Sequence, residues 1–333
     1  MRELAQFLAF LIPLASGFAL AIALMPPRKA SWAGLFLRLG LAPGLGFGAS
    51  SIAFYAACRA MHPSATAAWL VHAGILAISV TAALQRTRNA QTWDLSPVAE
   101  CFRKPNMLRA LAILLGGLLA SSLLADAIMH SKSPHGGGYD SFISWNMRAR
   151  WIFRGGEIWQ NGFSQLLAQT HPDYPLLIPC SVAQLWFISG AEAQLISSLV
   201  ANSFKYGALC LLVSGLSTLR TPLTGFLAGI FLLGIPFFLS HGASQFADVP
   251  AGYFLLAAVI LACKARDDER PCRMLPALAG VFIGLSAWTK NEGLLFVIAF
   301  FLSHAALTKW RGGDKADLGK LASMFLGTAI ALV

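Results

Sequence analysis

Charge is scarce in this chain. Of 333 residues only 12% are Asp, Glu, Lys or Arg, while 56% are hydrophobic and the mean hydropathy is +0.64. An average soluble domain carries about twice that charged fraction. An ordinary cytosolic enzyme and a disordered chain are both excluded. The six cysteines, at 58, 101, 180, 210, 263 and 272, form no CxxC pair and no dense framework. That argues against a zinc site and against a disulfide scaffold. No HExxH spacing, internal repeat, coiled coil or low-complexity linker is present. Acidic residues are few, 15 against 25 basic, for a net charge of +10. In a membrane protein such an excess belongs to cytoplasmic loops, so nucleic acid is not the expected partner.

What the sequence does have is long apolar runs. A helix crossing the hydrocarbon core needs about 20 apolar residues. Leu4–Met25 qualifies and is too long for a signal-peptide core of about 7–15 residues. Leu39–Cys58, Thr66–Leu84 and Ala110–Met129 follow, then Ala193–Ser217, Leu223–Ser240, Val249–Cys263, Leu275–Thr289, Leu294–Thr308 and Leu321–Val333. The expected fold is all-α: a polytopic bundle of about ten spans, with interfacial or half-helices in the loop 130–192. We divide it into an amino-terminal three-span portion with a cytoplasmic loop, 1–109, and a membrane core, 110–333. The last run stops at Val333, inside what would be a span, so we read the chain as shortened at its carboxy terminus.

Basic residues set the direction. Arg28, Lys29 and Arg38 follow the first run, and Arg86, Arg88, Arg103, Lys104 and Arg109 follow the third. Arg220, then Lys264, Arg266, Arg270 and Arg273, then Lys309, Arg311, Lys315 and Lys320 fall at later alternate junctions. Seventeen of the 25 Lys and Arg thus share one side, which the positive-inside rule makes cytoplasmic. The parity closes only if Pro175–Gly190 is an external half-helix, which places everything from His130 to Glu192 outside.

The remaining ionisable residues cluster in that external portion. Three glycines precede Tyr139-Asp140, allowing a sharp turn and close backbone approach. Asp140 to Phe153 interleaves Phe142, Trp145, Met147 and Trp151 with Asn146, Arg148 and Arg150, the make-up of an interfacial helix with tryptophans at headgroup depth. Such a helix can also exist without chemistry. Next, His171-Pro-Asp173-Tyr174-Pro is a rigid segment that suits either binding or helix capping. Asp248-Val-Pro250 and Thr289-Lys290-Asn-Glu292-Gly293 join later runs. Charges at such helix ends usually face a bundle interior or a watery cavity. Lys290 and Glu292 can also simply pair, and Asp248 can cap its helix. Asn202 and Lys205, inside the fifth run, either line a cavity or snorkel.

With Gly138-Tyr-Asp140, Trp145, Arg148, Arg150, His171-Pro-Asp-Tyr-Pro175, Asp248-Val-Pro250 and Thr289-Lys290-Asn-Glu-Gly293 in this order, the chain resembles the glycosyltransferase-C superfamily. It is similar to the dolichyl-phosphate-mannose protein mannosyltransferase and bacterial aminoarabinose lipid A transferase groups, over roughly residues 110 to 310. The resemblance implies an integral membrane enzyme of a bacterial inner membrane, with its site on the periplasmic face. It implies a polyprenyl-phosphate sugar as donor, and a glycan, lipid or protein as acceptor. Asp140 and Asp248 would be the acidic catalytic positions. The large external loop commonly follows the first span in that superfamily, whereas here it follows the fourth.

The residues suit that chemistry on their own account. A carboxylate such as Asp140 can take the proton of an acceptor hydroxyl during displacement at the anomeric carbon. A lipid-phosphate leaving group calls for Arg148, Arg150 or Lys290. His171, Asp173, Tyr174 and Glu292 are candidates for substrate contacts. A divalent metal is compatible with the carboxylates but is not demanded by them. Two other classes stay open: a secondary transporter, which would place charges at mid-membrane in two matching halves, and a non-catalytic scaffold.

Overall fold

The computed structural model describes residues 2–25, 31–87, 107–133, 138–267, 273–310, 312 and 315–332. Among them every regular element is helical. Helices α1 (Arg2–Leu24), α2 (Trp32–Met61), α3 (Ala65–Thr87) and α4 (Met107–Lys132) come first. A π-helical turn (Ser141–Asn146) leads into α5 (Met147–Arg154), and two 3₁₀ segments follow (Gly156–Phe163 and Gln165–Thr170). Then come α6 (Leu177–Ser189), α7 (Gln194–Leu219), α8 (Pro222–Leu233) and α9 (Pro236–Ala243). The chain ends with α10 (Asp248–Asp267), α11 (Met274–Thr289), α12 (Glu292–Trp310) and α13 (Lys315–Ala331).

Among the described residues the apolar runs read from the sequence lie on helices, with Leu223–Ser240 divided between α8 and α9. Seven of these helices, α1, α2, α3, α4, α7, α10 and α12, are long and apolar enough to cross a membrane. An eighth candidate is the pair α8 and α9, bent by 70°. The bend has a cause in the sequence. Pro236 at the start of α9 has no amide hydrogen to continue the ladder, and Gly234 ends α8. Helix α6 has 13 residues, about 20 Å of rise, and so falls short of a core about 30 Å thick.

Small residues let the helices approach closely. A Cβ on Gly17 of α1 would lie 2.0 Å from the carbonyl oxygen of Ala42 in α2, so only glycine fits there. Helix α2 carries Pro43 in its interior. One residue on, the Tyr253 hydroxyl of α10 accepts from the Gly44 amide at 2.9 Å and donates to the Gly40 carbonyl at 2.7 Å. An uninterrupted helix would join that amide and carbonyl directly. The tyrosine bridges the two groups, fastening α10 to α2 in the bundle centre. Around it Phe47, Phe204, Phe254 and Phe282 form the aromatic core.

The segment expected at the membrane surface is packed inward. Trp145 is 1% exposed, and Arg148 and Ile152 are fully buried against α6 and the adjoining turns. Trp145, Ala149 and Ile152 recur at helical spacing, so they form one apolar face that the protein itself covers. The tryptophan at 145 and the arginine at 148 therefore do not sit among lipid headgroups. Phe142 and Arg154 occupy the outward face.

Candidate functional site

Three loops distant in sequence meet at one end of the bundle. The first begins at Gly138, whose carbonyl accepts from the Ser141 hydroxyl at 2.7 Å. A Cβ at Gly138 would lie 2.5 Å from the tip of the Phe246 ring, so any larger residue would displace that ring. Gly136, Gly137 and His135 lie outside the described residues. Asp140 is half-buried and makes no capping hydrogen bond to its helix. Its Oδ2 instead accepts from Trp145 Nε1 at 2.8 Å, which fixes the carboxylate over the π-helical turn.

From Trp145 a column of rings leads toward the second and third loops. Trp145 stacks on Tyr174 with centroids 5.5 Å apart, and Tyr174 stacks on His171 at 4.9 Å. His171 adopts a left-handed backbone, φ 52°, which turns the chain and lays its ring on the tyrosine. Lys290 Nζ lies 5.9 Å from the Tyr174 ring centroid. That ammonium donates to Asp248 Oδ1 at 2.8 Å and lies 3.2 Å from Glu292 Oε1. Desolvation works against its charge, but Asp248 and Glu292 together outweigh it, so the Lys290 pKa is raised. Asn291 donates to Asp173 Oδ2 at 2.7 Å, tying the third loop to the first.

The two arginines of α5 are engaged by protein groups. Arg148 donates to the carbonyls of Tyr174 at 2.9 Å and Thr170 at 3.0 Å, and its Nε is buried without a partner. Burial lowers its pKa to about 10, with Asp173, Asp140 and Tyr174 working in the opposite direction. Arg150 Nε donates to Glu192 Oε1 at 2.5 Å, and Arg154 pairs with the other oxygen of that carboxylate. Arg148 thus holds up the His171–Pro175 segment, and Arg150 clamps α5 to the turn before α7.

Asp140, Arg148, His171, Asp173, Tyr174, Asp248, Lys290 and Glu292 therefore form one connected cluster, whereas Arg150 turns to Glu192 and Phe142. Among the described residues no three His, Cys, Asp or Glu side chains are grouped so as to hold a metal ion.

Beside the cluster runs a polar seam whose connections no sequence spacing indicates. Asn146 donates to Gln245 at 2.8 Å, Gln245 donates to Ser198 at 3.1 Å, and Ser198 meets His130 Nδ1 at 2.9 Å. Deeper in the same seam, Lys205 pairs with Asp126 of α4 at 2.5 Å, and the Tyr206 hydroxyl donates to the same carboxylate. Lys205 is fully buried, so it neither snorkels nor opens to water. Asn202 and Asp126 line a groove of about 570 Å³ bounded by α1, α2, α4 and α7. An aspartate inside the apolar run of α4 is costly in lipid, and that cost was the available signal. No family model, no curated protein and no solved structure matches this chain.

Proposed function

We propose that this protein transfers a sugar from a polyprenyl-phosphate donor to an acceptor hydroxyl, with Asp140 as general base. The observation that carries the reading is the ring column joining Asp140, through Trp145 and Tyr174, to the cation held between Asp248 and Glu292. A proton acceptor and a phosphate-binding cation are thereby linked through the same two rings.

The chemistry follows from the groups. Asp140 Oδ2 is occupied by the Trp145 N–H, which leaves Oδ1 to take the acceptor proton. The acceptor oxygen then bonds to the anomeric carbon as the carbon–oxygen bond to phosphate breaks. The phosphate leaves with the bonding electrons, and Lys290 stabilises the added negative charge. Arg148 serves as scaffold for the His171–Pro175 segment, and Arg150 fixes α5. Asp248 and Glu292 orient Lys290 and keep it charged.

In this reading the chain crosses the membrane about ten times, with α11 and α13 as short crossings and α8 with α9 as one bent crossing. The parity is supported by contacts. Lys290 to Asp248 and Asn291 to Asp173 bring together the three loops assigned outside. Arg266, His304 and Lys320 gather around one groove assigned to the other end. Membrane placement lets a prenyl tail stay in the bilayer while its phosphate reaches Lys290, at the periplasmic face of a bacterial inner membrane. Purified full-length protein incubated with labelled polyprenyl-phosphate sugars tests the proposal. Donor consumption that depends on Asp140 supports it, and an intact donor with every sugar would reject it.

A further inference from the structure

Another chemistry lies beside Tyr174, in a space that Lys290 does not line. A cavity of about 510 Å³ opens between the carboxy-terminal end of α2, the 3₁₀ segments after α5 and the junction of α11 with α12. Its size falls within the range of about 300–1,000 Å³ seen for small-molecule sites. Asp140, Asp248, Lys290 and Glu292 do not line it.

The walls divide into rings and polar groups. The Tyr55 ring stands 6.4 Å from Trp159 at 82° and 5.4 Å from Trp288 at 57°, so three aromatic surfaces meet at different inclinations. The polar wall holds Arg59, Gln160, Asp173 and Asn291. Arg59 and Gln160 are exposed, and no partner holds either side chain among the described residues. Asp173 and Asn291 are oriented by their mutual hydrogen bond, which leaves Asp173 Oδ1 and Asn291 Oδ1 as acceptors.

This lining selects a ligand class. A hydrocarbon chain would desolvate the four polar side chains without replacing their hydrogen bonds. A simple anion would meet one cation, Arg59, with the Asp173 carboxylate in the same wall. A sugar ring satisfies both walls. Its C–H faces carry partial positive charge and lie well on the negative face of an aromatic ring. Its hydroxyls both donate and accept, matching the donors of Arg59 and the acceptors of Asp173 and Asn291.

We infer that this cavity holds a sugar ring, with Tyr55, Trp159 and Trp288 as its apolar wall and Arg59, Gln160, Asp173 and Asn291 as its hydroxyl contacts. The inference deepens the transferase reading and rests on it for the origin of the sugar, which is either an acceptor glycan or the donor's own ring.

The test is a binding titration of the full chain in detergent, read by tryptophan fluorescence, since Trp159 and Trp288 border the cavity. Methyl glycosides of glucose, galactose and mannose form one arm, and a short-chain prenyl-phosphate-linked mannose forms the other. Arg59→Ala and Gln160→Ala alter exposed side chains, so the fold should survive. We expect saturable binding in at least one arm, weakened about tenfold or more by Arg59→Ala, the loss of a charge-assisted hydrogen bond. Binding of a neutral glycoside that is unchanged by Lys290→Ala assigns the sugar to the acceptor. Binding of the phosphate-linked sugar alone assigns it to the donor. No saturable response in either arm, or affinities indifferent to both cavity variants, would overturn the inference. Failure of the transferase reading looks different: glycosides would still bind while no donor is consumed.

Discussion

Lys290 Nζ lies 2.8 Å from Asp248 Oδ1, across 42 residues of sequence. The contact joins the start of α10 to the junction of α11 and α12, and Glu292 adds a second carboxylate at 3.2 Å. If this cation receives the donor phosphate, Lys290→Ala should weaken donor binding about ten- to a hundredfold, since a hydrogen bond to a charged group is worth about 1.5–3 kcal/mol. Labelled-donor binding to purified variant and parent checks this. Equal affinities would leave Lys290 as a loop tie only.

The same pair has a pH signature. The folded Lys290 pKa is raised, so its contribution to stability is fully present below the unfolded lysine value. That contribution is lost as pH rises through the folded value, above about 10.4. Melting temperature in detergent, followed from pH 9 to 12, should therefore fall more steeply for the parent than for Lys290→Met. Parallel curves would contradict the assigned direction.

Arg148 should behave as a structural residue. Its guanidinium holds two carbonyls from full burial, so Arg148→Ala strips donors from Tyr174 and Thr170 together. Each hydrogen bond to a charged group is worth about 1.5–3 kcal/mol, so a loss of several kcal/mol of stability is expected. Thermal unfolding is the check. A variant that melts like the parent but binds donor weakly would make Arg148 a ligand-binding residue instead.

The buried pair in the seam makes a separate prediction. Lys205→Met or Asp126→Asn alone leaves its partner without a counter-charge, and breaking such a pair costs about 3–5 kcal/mol. The double variant Lys205→Met, Asp126→Leu should recover much of that loss. Double and single variants with the same melting temperature would show that the pair is not energetically coupled.

Orientation is tested by labelling. Leu166 is 94% exposed in the first loop, and Gln85 is exposed near the end of α3. A cysteine at 166 should react with an impermeant thiol reagent added to intact cells, whereas one at 85 should react only after the membrane is opened. The reverse pattern would invert the topology.

The apolar runs were legible because about 20 consecutive apolar residues have few alternatives to a spanning helix. The four polar motifs were legible too, since charges at the ends of apolar runs stand out against the chain's low charge. Their contacts were not. Asp173 meets Asn291 across 118 residues, and no spacing rule relates them. The fate of Arg148 was hidden for a physical reason. A tryptophan and arginine mixture suits both a membrane surface and a protein interior, and only packing against α6 decides. Asp126 was overlooked although a lone carboxylate in an apolar run is conspicuous. Arg59 and Trp159 carry no motif at all, and the cavity they form with Trp288 arises from tertiary structure.

The most direct test of the central claim is turnover by Asp140→Asn in the full-length protein. Asparagine keeps the size of the side chain and an oxygen able to accept the Trp145 N–H, yet it cannot take a proton at neutral pH. Asp140 makes no capping hydrogen bond, so loss of a helix cap is not a competing explanation. The account predicts donor consumption slowed about 10²–10⁴-fold, the usual contribution of a general base, with donor binding nearly unchanged. Turnover at the parental rate would contradict it.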